Sequence, residues 1–237
     1  MKKILLSIAL LSAVELALSQ SGMLTTGLGY NASFVNAKSA NFVIDRYNET
    51  RTWLSKPMEH ITYMDGISWN ATGTIGVFLI DFNYNHRATV ISAEGDNGNG
   101  MMRRDIKVKD GSFGFGIGLN IIESNPTIGL GFDADIGRLS FKSRMYKPEI
   151  SAEGNYEELD AILTSGGTVW IQTMIYGGDH GVGLAIRPYY HFDFSDYNYQ
   201  WFNQSINPDT YHLDKDDQHD KLNHFGIQIL CNLFSKG

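Results

Sequence analysis

The chain has little cysteine, few prolines and, after its first twenty residues, no long apolar run. Its one cysteine, Cys231, excludes an internal disulfide. No later stretch approaches the roughly 18 uninterrupted apolar residues of a membrane-spanning helix, so any membrane crossing must use strands. The net charge is −7, and the linear sequence holds no cluster of lysines and arginines, which argues against nucleic-acid binding.

The start of the chain has the three parts of an export signal. Lys2-Lys3 is a charged beginning, Ile4–Val14 is an apolar run, and Ala17-Leu18-Ser19 offers a small-x-small cleavage site. No cysteine stands directly after that run to accept a lipid, so we expect no amino-terminal lipid anchor. We predict a signal peptide over residues 1–19 and one domain over residues 20–237.

The rest of the chain alternates apolar residues with small or polar ones. It contains 25 glycines, 12 tyrosines and 13 phenylalanines, a composition typical of strands and turns. Between Phe113 and Ile121 the odd positions are apolar, and Gly114, Gly116 and Gly118 stand between them, as a narrow barrel interior favours. The same alternation occurs in 23–34, 77–89, 128–136, 182–194 and 225–233, and more weakly in 61–72 and 168–176.

The connections between these segments alternate in length. Short ones are predicted at 73–76, 123–126 and 177–181, and long ones at 36–60, 94–104, 146–165 and 196–220. Outer-membrane barrels have this pattern, with tight periplasmic turns and long extracellular loops. The predicted fold is therefore all-β: an eight-stranded antiparallel transmembrane up-and-down β-barrel with both chain ends in the periplasm.

The layout resembles the small eight-stranded outer-membrane β-barrel protein family. The last predicted strand ends on Leu233-Phe234, similar to the terminal aromatic that the barrel insertion machinery reads, although Ser235–Gly237 follow it. The short signal looks like those of Bacteroidota. The resemblance implies a place in the cell outer membrane, with membrane lipid and lipopolysaccharide as partners and other outer-membrane proteins as further candidates.

Soluble β-sandwiches and lipocalin-type barrels are the structural alternatives, because they also alternate. They turn their polar face outward, and a solvated face normally carries many charges. Here the face opposite the apolar one is rich in Gly, Ala, Ser and Asn and poor in Lys and Glu. The membrane barrel is the favoured interpretation.

Charged side chains fall on the predicted interior face and form the candidate site, a polar network in the lumen. Its members are Asp81, Arg87, Asp133, Asp135, Arg187, His191 and Asp193. Since an eight-stranded barrel is just filled by side chains, pairing between opposite charges is favoured over a transport path.

A metal site is the weaker interpretation of a second group. His212, His219 and His224 lie near the acidic run Asp214–Asp220, which lacks the Gly and Glu positions of an EF-hand loop. A solvated acidic loop is favoured. No metal and no cofactor are predicted.

Catalysis is also disfavoured. His191, Asp193 and Ser195 share the predicted interior face, but His191 and Ser195 are too far apart along the strand for direct proton transfer. We predict a structural or interaction role without enzyme activity, as an accessory subunit of a larger envelope complex. A narrow pore for small solutes and a lipid-modifying enzyme of the outer membrane are the alternatives.

Two long loops carry recognisable features. Residues Ile44, Tyr47, Arg51, Leu54 and Met58 have helical spacing, which predicts an amphipathic helix that caps the barrel or contacts a partner. The aromatic segment 197–212 suits protein or glycan contacts, and its Tyr199 and Trp201 equally suit an interfacial aromatic girdle.

Overall fold

The computed structural model describes residues 22–149, 154–177, 181–208 and 219–236. The predicted signal peptide lies outside these residues. The strands are β1 (Gly22–Val35), β2 (Leu54–Lys56), β3 (Tyr63–Ile75), β4 (Phe78–Asp96), β5 (Met101–Ile122), β6 (Thr127–Tyr146), β7 (Glu157–Tyr176), β8 (Val182–Asp193), β9 (Tyr197–Asn198), β10 (His219–Asp220) and β11 (His224–Lys236). The helices are α1 (Lys38–Glu49) and α2 (Gln200–Ile206).

Eight of the described strands close into a ring. Each pairs antiparallel with the next in the order β1, β3, β4, β5, β6, β7, β8 and β11, and β11 pairs with β1. In the lower part of the barrel, closure gives each of these eight strands a neighbour on both sides, which removes unpaired edges there. The predicted eight-stranded up-and-down barrel is confirmed.

The short connections lie together at one end of the barrel, at 76–77, 123–126 and 177–181, where β1 also begins and β11 ends. Gly76 has a φ of 56°, the left-handed conformation that a tight turn asks of glycine. Two predicted long loops are shorter than expected. Strands β4 and β5 continue until only 97–100 joins them, and β7 already begins at Glu157.

The outer surface of the barrel is apolar. Phe113 is 64% exposed and Leu163 is 76% exposed, on neighbouring parts of a belt around the ring. Its other members include Leu28, Phe78, Phe115, Ile117, Leu130, Ile136, Ile171, Leu184, Ile229 and Leu233. A soluble sandwich or lipocalin would bury these side chains, so the belt faces lipid and the chain is an outer-membrane barrel.

Above this belt the apolar and polar faces of the strands change places: the inner face becomes apolar and the outer face polar. The reversal follows one row of paired residues, His86, Gly111, Arg138 and Leu163. Below the row the interior is polar and the exterior apolar. Above it, in 87–96, 101–110, 139–146 and 157–162, here called the upper wall, buried apolar residues line the inner face from Ile91 upward. The upper wall therefore stands outside the membrane, with its charges facing water.

The two helices pack against the inner face of the upper wall and close the extracellular mouth, and together they are called the cap. On α1 the buried residues recur at helical spacing, at Ala40, Val43, Ile44 and Tyr47. The ring of Phe202 on α2 stacks on Phe141 of β6, with centroids 4.3 Å apart. The cap and the upper wall share one apolar core.

The sequence prediction for the cap was partly right. The helix in the first long loop is confirmed, but it covers 38–49, so Arg51, Leu54 and Met58 lie beyond its end. Tyr199 is fully buried against Phe141, which rules out the girdle position for it. No helix among the described residues is long and apolar enough to span a bilayer.

Candidate functional site

All seven residues of the predicted polar network lie buried inside the barrel. They are Asp81, Arg87, Asp133, Asp135, Arg187, His191 and Asp193. Their positions follow from alternation, because every second residue of a strand faces the same side. The structure divides them into a lower cluster in the middle of the barrel and an upper cluster beneath the cap.

The lower cluster is centred on Arg187 of β8. Its Nη1 donates to Oδ2 of Asp81 at 2.8 Å, its Nη2 donates to Oδ1 at 3.0 Å, and its Nε donates to Oε1 of Gln172 at 2.8 Å. The guanidinium lies 4.3 Å from the ring centroid of Trp170. Bidentate pairing and stacking of this kind are what make arginine suited to a buried position.

Asp133 of β6 is the second acidic residue of the lower cluster. Its Oδ2 accepts a hydrogen bond of 2.8 Å from Nδ2 of Asn83. A Cβ atom at Gly116 would lie 2.0 Å from Oδ1 of Asp133. Glycine on the paired strand therefore makes room for this carboxylate, which explains the glycine-rich interior face of β5.

The upper cluster contains two groups beneath the cap. Arg87 contacts Asp110 and His224, and its Nη1 donates to Oγ of Ser33 and to the hydroxyl of Tyr189, both at 3.1 Å. These residues belong to strands on several sides of the ring. The contacts therefore tie one part of the wall to another.

His191 is the centre of the other group. Its Nδ1 lies 3.3 Å from Asp135 and its Nε2 lies 3.1 Å from Asp193. The ring stacks on His224 with centroids 4.7 Å apart, which joins the two groups. Tyr197 of β9 donates a hydrogen bond from its hydroxyl group to Asp193. Burial and this contact raise the pKa of the Tyr197 phenol, so it stays a hydrogen-bond donor.

Sequence reasoning did not assign several partners to the network. Asp110, Ser33, Asn83, Tyr189 and His224 each hydrogen-bond a predicted member or share its group. Each lies on the interior face of its strand, in phase with neighbouring interior residues. Extending the alternation of β5 upward from Gly114 would have placed Asp110 inside.

The interior leaves little space. Two cavities of about 10 Å³ each lie beside the two clusters, and each has room for about one water molecule. Side chains from opposite walls meet across the centre, as the pairing of Arg187 with Asp81 shows. In the part of the chain that the structure describes, the arrangement braces the barrel and offers no open channel.

The alternative sites of the sequence analysis are separated by the structure. Ser195 lies beyond the end of β8 and is exposed, whereas His191 is buried. His212 and residues 214–218 lie outside the described residues. His219 belongs to β10 and His224 to the barrel interior. Within the described ranges, no group of three or more His, Cys, Asp and Glu side chains could hold a metal ion.

Comparison with solved structures finds outer-membrane proteins of similar fold. Ail, the attachment invasion locus protein of Yersinia pestis, has a TM-score of 0.43 at 11% identity, covering 91% of this chain and 99% of Ail. Its complex with the heparin analogue sucrose octasulfate has a TM-score of 0.42 at 10% identity, with the same coverage. The outer-membrane protease OmpT of Escherichia coli has 0.40 at 9%, covering 92% and 97%. No family model and no curated protein matches the sequence.

Proposed function

We propose that this chain is a structural and interaction barrel that acts as an accessory subunit of a larger envelope complex. The main support for the proposal is that the barrel is closed at two levels. Paired charges join opposite walls in the middle, and the cap fills the extracellular mouth with an apolar core. A protein built this way anchors in the membrane and presents a rigid surface to the outside.

The proposal includes the origin of the chain and its export. We propose that residues 1–19 are a signal peptide removed during export, and that the source is a bacterium of the Bacteroidota type. The support is the order of charged start, apolar run and small-x-small site. Sequencing the amino terminus of protein taken from outer membranes tests this, and a start at Met1 would contradict it.

A narrow pore is the less supported alternative. Opening a path would require breaking the pair between Arg187 and Asp81 and moving the cap away from the upper wall. A lipid-modifying enzyme is also less supported, since His191 lies between Asp135 and Asp193 in the interior, away from the exposed Ser195. The proposed role is therefore non-enzymatic. Unchanged lipid A in a strain overexpressing the protein is the expected result.

The cap offers an anchor for a protein partner. Trp201 on α2 is 69% exposed, next to the buried Phe202 that fixes the helix. Exposed tryptophan on a rigid element is typical of residues that dominate the energy of protein interfaces. We propose that this face of the cap contacts the partner.

Affinity purification from outer membranes in mild detergent tests the role. The tag is best placed in the exposed turn 97–100, away from the barrel closure and the cap. We expect stoichiometric envelope proteins to co-purify, and Trp201→Ala to reduce their yield. Phe78→Ala is the matched control, because it removes an aromatic side chain that is 64% exposed on the lipid belt. Isolation of a lone barrel would contradict the accessory role.

A further inference from the structure

Four cations meet on the outer face of the barrel just above the apolar belt: Lys107 and Lys109 of β5, with Arg138 and Lys142 of β6. We call this group the basic rim. Lys107 stands directly opposite Lys142 in the strand register. Like charges in directly opposite positions destabilise a sheet, so this arrangement calls for a compensating anion. Lys107 and Lys109 are close in the sequence, and the pairing of β5 with β6 brings Arg138 and Lys142 beside them.

Among the described residues, the carboxylate of Glu158 neutralises only part of the basic rim. Glu158 of β7 accepts a 2.7 Å hydrogen bond from Arg138 and lies 3.5 Å from Nζ of Lys142. Nζ of Lys107 lies 5.7 Å from the ring centroid of Tyr156. Among the described residues, neither Lys107 nor Lys109 has a carboxylate within ion-pair distance. The basic rim keeps an excess of positive charge.

The charges higher on the upper wall are arranged differently. Asp105 is fully buried between Arg103, at 2.9 Å, and Arg144, at 2.7 Å. Arg103 also lies 4.0 Å from Glu94. Two carboxylates there face two arginines, so that group is balanced. The lysines without a carboxylate partner, Lys107 and Lys109, lie lower on the wall, nearer the membrane.

The height of the basic rim identifies its surroundings. Arg138 and Gly111 belong to the row at which the apolar and polar faces of the strands change places. Lys107 lies four residues above Gly111 on β5, about 14 Å along a tilted strand. Directly below are the lipid-facing side chains of Phe113 and Ile136. The basic rim therefore lies at the level of the lipid headgroups of the outer leaflet.

We propose that the basic rim binds the phosphate groups of a phosphorylated glycolipid of the outer leaflet, with its acyl chains on the adjoining apolar belt. Lysine and arginine at this height attract anionic headgroups, each by an amount that favours binding about fivefold. A lipid meets both surfaces at once, whereas a soluble polyanion would meet only the charges. This inference goes beyond the proposed partner role and does not depend on it.

Titration of the folded full chain in detergent micelles, followed by native mass spectrometry, tests the proposal. The probes are diphosphorylated lipid A and its dephosphorylated form with the same acyl chains. Lys107→Gln with Lys109→Gln removes two charges from the basic rim. Lys38→Gln with Lys56→Gln is the matched control, since both of these lysines are exposed in the first extracellular loop. Altered migration on heating shows that each variant is folded.

We expect the wild type to prefer the phosphorylated lipid. The double variant of the basic rim should bind it about 25-fold more weakly, as fivefold per lysine implies, and the control pair should bind as the wild type does. Equal binding of both lipids by the wild type, or equal losses in the two double variants, would overturn the proposal. Displacement of lipid A by a soluble sulfated oligosaccharide through the same lysines would also overturn it.

Discussion

Arg187 and Asp81 span the interior of the barrel. Nη1 and Nη2 of the arginine reach the two carboxylate oxygens at 2.8 and 3.0 Å. Their strands, β8 and β4, are separated by three strands in either direction around the ring, so they stand on opposite sides. The pair is fully buried, with exposures of 1% for Arg187 and 0% for Asp81. It is a brace across the full width of the barrel.

Breaking this brace should destabilise the barrel strongly. Arg187→Met leaves the carboxylate of Asp81 buried without its cation, and we expect a loss of about 3–5 kcal/mol in the free energy of unfolding. Urea unfolding in micelles, followed by tryptophan fluorescence, measures it, because Trp170 stacks on the guanidinium.

Two variants check the physical reason for that loss. Arg187→Met combined with Asp81→Leu should lose less than the sum of the single changes, since no lone charge is left inside. Arg138→Met removes an arginine that is 61% exposed, and it should cost about 1 kcal/mol or less. Equal losses at positions 138 and 187 would contradict the account of Arg187 as a brace.

The intact barrel should pass no measurable ionic current in a planar bilayer. The interior cavities hold about 10 Å³ each, and the cap covers the mouth. Asp133→Asn with Asp135→Asn should leave the trace unchanged, because these carboxylates line no open path. A steady conductance that these two substitutions alter would revive the pore alternative.

Removing a large side chain from the core of the cap should loosen the cap and leave the barrel folded. Phe202 is fully buried against Phe141, so Phe202→Ala should cost about 3–5 kcal/mol in cap stability. Limited proteolysis of the purified protein in micelles, without a partner, should then cut the extracellular loops faster. Trp201→Ala, on the exposed side of the same helix, is the control and should cleave at the wild-type rate.

The upper wall should lose stability in acid through Asp105, which lies outside the membrane-spanning part. Burial raises the pKa of this carboxyl, but hydrogen bonds from Ser92, Arg103 and Arg144 outweigh burial and lower it below 3.8. The folded state thus favours the carboxylate. Its contribution to stability is complete above 3.8 and is lost as the pH falls through the lower, folded value.

Asp105→Asn isolates this effect. The variant should be less stable than the wild type near neutral pH, and the difference should shrink below pH 3.8 as the wild-type carboxyl becomes protonated. Proteolysis of the upper wall by an acid-active protease at a series of pH values measures the difference. A difference that does not change with pH would show that Asp105 contributes by packing alone.

The sequence predicted the membrane-embedded part of the fold well and the extracellular part less well, for one physical reason. From Phe113 to Ile121 the apolar residues occupy odd positions, facing lipid. Above that segment Ile106 and Val108 occupy even positions and face the core of the cap. A single continuous alternation ends where the surroundings of the strand change from lipid to water, so the pattern predicts a long loop at 94–104 in place of the ends of β4 and β5.

The same reversal explains what was missed in the candidate site. Asp110 keeps the even-numbered phase of the β5 interior, but it lies above Phe113–Ile121, the segment that the alternation predicts as a strand, so its pairing with Arg87 is not predicted. The charges of the lower cluster lie within the regular alternation, and their face was predictable. Which carboxylate each arginine meets depends on positions around the ring, which one-dimensional spacing does not carry.

The unequal strand lengths make the molecule directional within the plane of the membrane. Strands β4 to β7 have 19 to 22 residues, whereas β1, β3, β8 and β11 have 12 to 14. Among the described residues, the upper wall therefore screens the cap on one side, and the strands on the opposite side end lower. The proposed partner would therefore reach the helices of the cap from that side. The barrel thus presents two unlike sides within the membrane plane, and a partner of the proposed kind would recognise one of them.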